Sequence, residues 1–558
     1  MNSLATRFTS QLSRLVPLGK RVDDPLNDLR SAARWLDSLP VGDAFKCQDA
    51  VYRTLKRSNE EAGSFTRGRL EIFMLLDERS RDLQDTLVHQ YLRNPRMSRQ
   101  MESQLWHAIY GLSWELARGY HSFVLHLSRD PGKRHEDVIP RITLRAVRAF
   151  GQLLKYRSMR YLAAGEKLWL RLHNLHRIAE SGGFHRSAQR AYPDESFDCS
   201  CETAYLHILM LDLANSGTLY PRQIDMLDRW LRNWHSLLQL DTHLDPDGHT
   251  FVVDLAADAG PRRLRKPDLA KPLRFWGTER LLQRLNEIFG DLLRGGAPRH
   301  AGLGDARTAE SLELLDYLRQ QWAPLAKREQ RRAPRESVKR LVDVAHGLSA
   351  AVNQIKLSNA PARVSPYGTG LDHNEADDVH VYGFVTDRTR ERASIMKTRA
   401  AASPDVERWV IHDESECGFG ARVESRDKDW LRVGALIGFR PHDHDEWQLG
   451  IVRRLARQGD ETSSVGIETL PATPELTMLL DLSTPAYSVS GFDEGAGMLP
   501  HACLRLNTSP PSLVLDPILF APGKMLEVHG SAERTHLVLG HPIDRSEGWM
   551  RVGIDPLD

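Results

Sequence analysis

The chain reads as a multidomain α + β protein: an N-terminal α-helical bundle or array, then an antiparallel β-barrel, then a small C-terminal β module. Three observations carry that reading. From about Ala44 to Leu293 the apolar residues recur at helical spacing. After the basic stretch Lys327 to Arg340 the period falls from 3.6 to 2. The remainder is filled by short β-branched or aromatic runs bounded by Gly, Asp or Pro, the pattern of a barrel. At 558 residues, and roughly 100 to 200 residues per domain, three or four domains are expected, each able to bury its own core.

In the first half, Leu105, Ile109, Leu112 and Leu116 form one stripe, and Leu168, Leu172, Leu175 and Ile178 form another that stops at Gly182-Gly183. A third follows Pro221 with Ile224, Leu227, Leu231, Trp234 and Leu238, and a fourth runs from Leu281 through Leu285 and Ile288 to Leu292. No fixed period marks a named helical repeat. The helical domain is therefore placed at 1–293. The Gly-rich run from Arg294 to Arg307 has little to bury and predicts a domain boundary, so 294–327 is read as a linker with one connecting helix, Ser311 to Trp322.

Val338, Val342 and Val344 open the β half, placed at 328–482. Strands are predicted at Trp409 to Ile411, Ala421 to Val423, Leu436 to Phe439, Trp447 to Val452 and Val465 to Ile467. The irregular stretch from Ser358 to Glu407, with three prolines, is too long for an ordinary loop and reads as an insertion near 358–407. After Pro485 come Leu513 to Leu515, Met525 to Val528, His536 to Leu539 and Trp549 to Ile554, read as a second small β module at 483–558.

Composition excludes more than it names. The 75 Lys+Arg and 74 Asp+Glu leave a net charge of +1, so no chain-wide electrostatic footprint for nucleic acid or anionic membrane exists, and any basic site is local. Hydrophobic residues are 41%, charged ones 27% and the mean hydropathy is −0.44, ordinary for a globular chain and wrong for a disordered or membrane-spanning one. Five scattered cysteines with no C-x-x-C spacing give neither a disulfide framework nor a zinc site. Without an apolar leader core or a membrane-spanning run, a cytoplasmic location is expected.

One constellation carries chemistry. His412-Asp413-Glu414-Ser415-Glu416-Cys417-Gly418-Phe419 contains D-x-S-x-x-G between two apolar strands, followed by Val433-Gly434, by Trp447 to Leu455 and by Val465 to Leu470. Together these segments resemble the PilZ family of cyclic di-GMP receptor domains, over roughly Arg328 to Leu482. The resemblance implies a PilZ-like antiparallel six-stranded β-barrel and an upstream R-x-x-x-R. Arg331 and Arg335 have that spacing and are followed at once by a strand, although Arg335 lies 78 residues before Asp413. Arg328 and Arg332 give a second register, and Arg388 and Arg392 form a rival pair nearer the motif but with no strand after it. The cyclic di-GMP site implied is Arg331, Arg335, Asp413, Ser415 and Gly418, with Arg388 and Arg392 as the alternative arginines.

The residue types suit such a ligand on physical grounds. A guanidinium fork holds phosphate oxygens or a guanine O6/N7 edge bidentately and stacks on the base. A carboxylate accepts from the guanine N1–H and amino group, a small hydroxyl donates or accepts, and a glycine lets backbone approach closely. The bland readings stand beside these: Asp-x-Ser at a turn is also Asx-turn chemistry, the basic run is also a solvated face, and Phe419 and Trp447 read as barrel core.

Other chemistry is weaker. His442-Asp443-His444-Asp445 reads as a polar hairpin loop rather than a metal cluster, and Asp245-Pro246-Asp247-Gly248 as a turn rather than a calcium loop. Cys199 and Cys201 lack a second ligand pair. No nucleotide-triphosphate loop, zinc-protease helix, nucleophile elbow or cyclic di-GMP-metabolising signature is present, so the protein is expected not to be an enzyme, to need no cofactor or metal, and to bind no nucleic acid. The resemblance implies a cyclic di-GMP effector in which the basic segment wraps the ligand, reorients the helical half and passes the signal to a protein partner. The alternative is a degenerate, non-binding PilZ-like scaffold for protein–protein interaction.

Overall fold

The computed structural model describes residues 24–324, 335–359, 406–481 and 501–557, apart from 41, 62–64, 95–96, 130–135, 166, 215–216, 427, 429, 459–461, 530–533 and 547. The chain divides into two compact units. One comprises Met1–Met159, Ala164–Ala214 and Pro221–Leu325, and the other comprises Arg160–Ala163, Asn215–Tyr220 and Ala326–Asp558.

The first unit is helical: α1 (Leu29–Asp37), α2 (Ala44–Glu60), α3 (Arg67–Arg93), α4 (Arg99–Leu127), α5 (Ile139–Met159), α6 (Leu168–Ser181), α7 (Cys201–Ala214), α8 (Pro221–Trp234), α9 (Glu279–Leu293) and α10 (Thr308–Trp322). The helical stripes read from the sequence fall inside them, except that the third runs past the end of α8 at Trp234, leaving Leu238 outside the helix. The starts are set by side-chain caps. Asp28, Asp43, Thr66 and Ser98 accept from the backbone N–H of Ser31, Lys46, Arg69 and Met101, satisfying donors that the first turn leaves without partners.

Two expectations for this half need correction. It is not wholly helical, because β1 (Phe251–Asp254), β2 (Arg262–Arg263) and β3 (Leu273–Trp276) form an antiparallel sheet in the order β2-β1-β3. Phe251, Val252, Phe275 and Trp276 are buried aromatic and β-branched residues that fit a pleated surface better than a helix. The Gly-rich run 294–307 is not a boundary either, since the helical unit continues to Leu325. Leu303 is buried, its carbonyl accepts from Trp230 Nε1 at 3.1 Å, and Gly302 O accepts from Asn233 Nδ2 at 2.8 Å.

The second unit holds two closed antiparallel barrels of six strands each. In the first, β4 (Glu336–His346), β5 (Val406–Ser415), β6 (Gly418–Glu424), β7 (Leu436–Pro441), β8 (Gln448–Gln458) and β9 (Thr462–Thr469) close in the order β4-β5-β6-β9-β8-β7. An unforeseen helix, α11 (Gly347–Ser358), follows β4. The insertion expected after Ser358 lies outside the described residues.

The first barrel's core contains Val342, Trp409, Ile411, Phe419, Val452, Val465 and Ile467, so the core reading of Phe419 holds. It also contains Tyr161, from far upstream. Tyr161 O accepts from Arg457 N at 2.9 Å, Gly217 O accepts from Leu455 N at 3.0 Å, and Tyr220 packs on the same cluster.

The second barrel is larger than the small module expected. β10 (Glu475–Asp481), β11 (His501–Leu506), β12 (Ser512–Leu515), β13 (Met525–His529), β14 (Arg534–Ser546) and β15 (Trp549–Leu557) close in the order β10-β11-β12-β15-β14-β13. β10 pairs with β11 and β13, so it belongs to the second barrel although the sequence pattern assigns it to the first. The two barrels share an apolar cluster in which Leu436, Trp447, Leu449 and Leu470 meet Leu504, Leu506, Val514 and Trp549.

Candidate functional site

The register of the first barrel determines which side chains meet at the end of β5. β4 and β5 run antiparallel with Ser337 opposite Asp413 and Glu336 opposite Glu414. Arg335, the residue before β4, is thereby carried to the end of β5, and its Nη1 donates to Asp413 Oδ1 at 2.7 Å. Both side chains are about two-fifths exposed, at 41% and 39%. A pair so solvated contributes about 0–1 kcal/mol to stability, so it is easily opened.

A bulge shapes the other side of Asp413. Ile411 faces Ala421 and Asp413 faces Gly420, which leaves His412 as the extra residue on β5. Bulges re-aim side chains, and both His412 and Asp413 line one small cavity of about 260 Å³ with Gly420, Ala421, Arg422 and Ser464. Burial and then the charge of Arg422 push the His412 imidazole below its ordinary value, which keeps it neutral near pH 7. Gly420 gives the carboxylate its space: a Cβ there would lie 2.8 Å from both Asp413 oxygens.

Gly418 is dictated more strongly. Its φ is +153° and a Cβ would fall 2.0 Å from Ile467 O on the neighbouring strand. The Ser415 hydroxyl donates to Gly418 O at 3.1 Å, closing the turn between β5 and β6. Ser415 thus performs the turn role open to a serine in this motif.

A second arginine reaches the same edge. Arg340 Nη1 donates to Asp443 Oδ2 at 2.7 Å, and its Nη2 bonds the Glu414 carboxylate. Burial opposes the charge on Asp443, but the Arg340 hydrogen bond outweighs it and holds the carboxyl below its usual value.

Of the residues singled out in the sequence, Arg335, Asp413, Ser415 and Gly418 come together here. Arg331, Arg388 and Arg392 lie outside the described residues. Sequence reasoning missed His412, Gly420, Arg422, Ser464 and Arg340. The second glycine of Gly418-Phe419-Gly420 was the available signal, because glycine inside a strand marks a close approach.

The competing clusters take the forms expected of loops and core. His442 Nε2 bonds Asp343 Oδ1 at 3.1 Å in the β7–β8 hairpin, and Asp247 N donates to Asp245 Oδ1 at 3.1 Å in a turn. Cys199 and Cys201 are buried thiols. Among the described residues no cluster of three or more His, Cys, Asp or Glu is placed to hold a metal ion, and no helix is long and apolar enough to cross a membrane.

Comparison with known proteins points to the other half of the chain. Residues 30–246 match a family model described as the N-terminal domain of the cyclic-di-GMP receptor FimW. The chain is also 31% identical over 188 residues to the cyclic-di-GMP receptor FimW of Pseudomonas aeruginosa. That match covers 33% of this chain and 30% of the relative, so the chain spans less than a third of the curated relative it matches. The family match falls on the helical region, for which the sequence pattern suggests no resemblance, and not on the C-terminal barrel that carries the D-x-S-x-x-G motif.

Proposed function

We propose that this chain is a non-enzymatic, cytoplasmic cyclic di-GMP effector, that its first barrel is a PilZ-like domain which binds the dinucleotide, and that the helical region passes the signal to a protein partner. The observation that carries the reading is the ion pair of Arg335 with Asp413, which unites the two halves of the motif across 78 residues at the end of a six-stranded antiparallel barrel. The similarity of residues 30–246 to part of a cyclic-di-GMP receptor supports the same ligand from an independent region.

On binding, the Arg335–Asp413 pair opens at small cost. Arg335, joined by Arg331, takes a phosphate or a guanine O6/N7 edge, and Asp413 accepts from the guanine N1–H and amino group. Ser415 and Gly418 hold the turn that presents Asp413. Calorimetric titration of cyclic di-GMP into wild type, Arg331→Ala/Arg335→Ala and Asp413→Ala tests this. Micromolar or tighter binding, lost in both variants, is expected. The absence of heat from folded wild type overturns the receptor reading. It would leave the second one, a PilZ-like scaffold, which the use of Ser415 and Asp413 by the protein's own turn and ion pair favours.

A further inference from the structure

The cavity beside Asp413 carries unmet positive charge. At about 260 Å³ it is smaller than the usual site for a whole small molecule, so it suits one part of a larger ligand. Of the polar side chains that line it, Asp413 is satisfied by Arg335. The others are not: among the described residues the Arg422 guanidinium, the His412 imidazole and the Ser464 hydroxyl have no hydrogen-bond or ion-pair partner.

The strand register gathers these donors. Ala421 on β6 points into the barrel core, so Arg422 points outward, and it lies opposite Ser464 of β9 on the same outer face. On β4, Val338 and Lys339 lie against the single residue His412, between the pairs Ser337–Asp413 and Arg340–Ile411. Lys339 is exposed, has no ion-pair partner among the described residues, and its charge reaches the imidazole.

The groups facing His412 are therefore Lys339 from β4, Asp413 on its own strand, Arg422 from β6 and the neutral Ser464 from β9. Burial, and then the charge of Arg422, disfavour the imidazolium; Asp413 opposes them and Lys339 reinforces them. An anion placed among these groups reverses the balance, because it pairs the two cations and accepts from both the hydroxyl and a protonated imidazole. A carboxylate beside such donors describes a ligand with N–H groups at one point and, close by, an anion that accepts from several directions. A tetrahedral phosphate does so more readily than a planar carboxylate.

We propose that Arg422, His412 and Ser464, with Lys339 beside them, form a phosphate subsite next to Asp413, and that His412 takes up a proton as the phosphate enters, so that ligand affinity rises as pH falls. None of the four belongs to the D-x-S-x-x-G or R-x-x-x-R pattern. That the phosphate is part of cyclic di-GMP rests on the barrel reading; the anion site itself does not. The sign follows from linkage. The anion raises the imidazole pKa above its value in the free protein, so binding consumes a proton between the two values and tightens as pH falls through the upper one.

Calorimetric titration of cyclic di-GMP into the whole chain between about pH 7.5 and about pH 5.5 tests the proposal. Neither the phosphodiester nor the guanine titrates in that range. Wild-type affinity is expected to rise about threefold or more, and the rise to be absent in His412→Gln. Arg422→Ala is expected to weaken binding about tenfold or more without lowering the melting temperature, since its side chain is exposed. In parallel, millimolar inorganic phosphate at fixed pH is expected to shift one imidazole signal in the NMR spectrum of the histidine-labelled chain, a signal missing from His412→Gln. If cyclic di-GMP binding is lost in Arg331→Ala/Arg335→Ala and Asp413→Ala while Arg422→Ala binds as wild type, or if the pH dependence survives in His412→Gln, the subsite is overturned and the barrel reading stands. If wild type binds no cyclic di-GMP while phosphate still shifts the His412 signal, the anion site stands and the barrel reading falls. No response to either ligand removes both.

Discussion

The two barrels have the same connectivity and different chemistry. Numbered within each barrel, the strands close in the order 1-2-3-6-5-4 in both. In the first, the facing ends of the second and third strands carry Asp413, Ser415 and Gly418, with Arg335 placed against Asp413. In the second, the equivalent connection is Asn507-Thr508-Ser509-Pro510-Pro511, and Ser512 opens the third strand, fully buried. Its polar groups are consumed locally: Asn507 Nδ2 donates to Glu475 at 2.8 Å, Thr508 Oγ1 to Pro510 O at 2.6 Å, and Arg551 Nε to Ser512 Oγ at 3.0 Å. No arginine lies between Leu470 and Pro474, ahead of β10. One architecture thus presents a candidate site once and a closed, self-satisfied end once, so the fold alone says nothing about binding.

The largest expected effect tests whether the barrels are separable. Trp549 of the second barrel is 3% exposed, sits in the shared cluster and donates from Nε1 to Gly434 O of the first at 2.9 Å. Trp549→Ala should cost about 3–5 kcal/mol. The two barrels are then expected to melt in two transitions, against one shared barrel transition expected for wild type, read by differential scanning calorimetry. A single transition at the wild-type temperature would mean that the cluster does not couple them.

Next comes the glycine that the second barrel lacks. Gly418→Val should cost about 2–4 kcal/mol, because it combines a positive φ with a Cβ driven into the Ile467 carbonyl. Gly548→Ala in the second barrel, where nothing lies within 4 Å of the added Cβ, should change stability by less than about 0.5 kcal/mol. Equal melting shifts in the two variants would refute the steric argument for the motif glycine.

A smaller effect separates the barrels by pH. Asp343 on β4 is 13% exposed; burial opposes its charge, but hydrogen bonds from His442 and Arg440 prevail and hold its carboxyl below the usual carboxylate range. A depressed carboxylate stabilises the fold above its unfolded pKa and loses that contribution as pH falls through the folded value. Asp343→Asn should therefore cost about 1–3 kcal/mol at pH 7, and the difference from wild type should shrink as pH drops below the ordinary carboxylate range. A gap that stays constant down to about pH 3, below the ordinary carboxylate pKa, would assign the effect to packing.

Much of this is legible in the sequence, for identifiable reasons. The stripes of α4, α6, α8 and α9 stand out because each presents one apolar face, and β5 to β9 because their strands are short and bounded by turn residues. The sequence pattern puts β10 in the wrong barrel and misses β11: Glu475 to Asp481 continues from the first barrel without a break in pattern, and only pairing partners tell which barrel owns a strand. Tyr161 in the first barrel's core is invisible for a related cause. Its burial depends on Arg457 and the 433 region, far along the chain. At the site, Asp413, Ser415 and Gly418 are readable as a local motif, and Arg335 by its spacing from Arg331. The bulge that turns His412 toward the same cavity depends on cross-strand register, which no local pattern encodes.

The smallest stability effect sharpens the comparison most. Arg335→Ala and Asp413→Ala each remove one half of a pair about 40% exposed, and neither leaves a buried charge behind. Each should lower stability by less than about 1 kcal/mol. If the first barrel binds cyclic di-GMP, the same substitutions should weaken binding by about tenfold or more, since each removes a charge-assisted hydrogen bond to the ligand. In the second barrel Arg551→Ala, where the arginine is 11% exposed and bonded to Ser512, should do the opposite. It should cost about 1–3 kcal/mol for the lost partner of a buried hydroxyl and leave binding unchanged. Parallel thermal melts and titrations on the three variants would show a cross-over if the first barrel's charges serve a ligand and the second's serve the fold. Variants whose binding losses simply track their stability losses would show that Arg335 and Asp413 are structural after all.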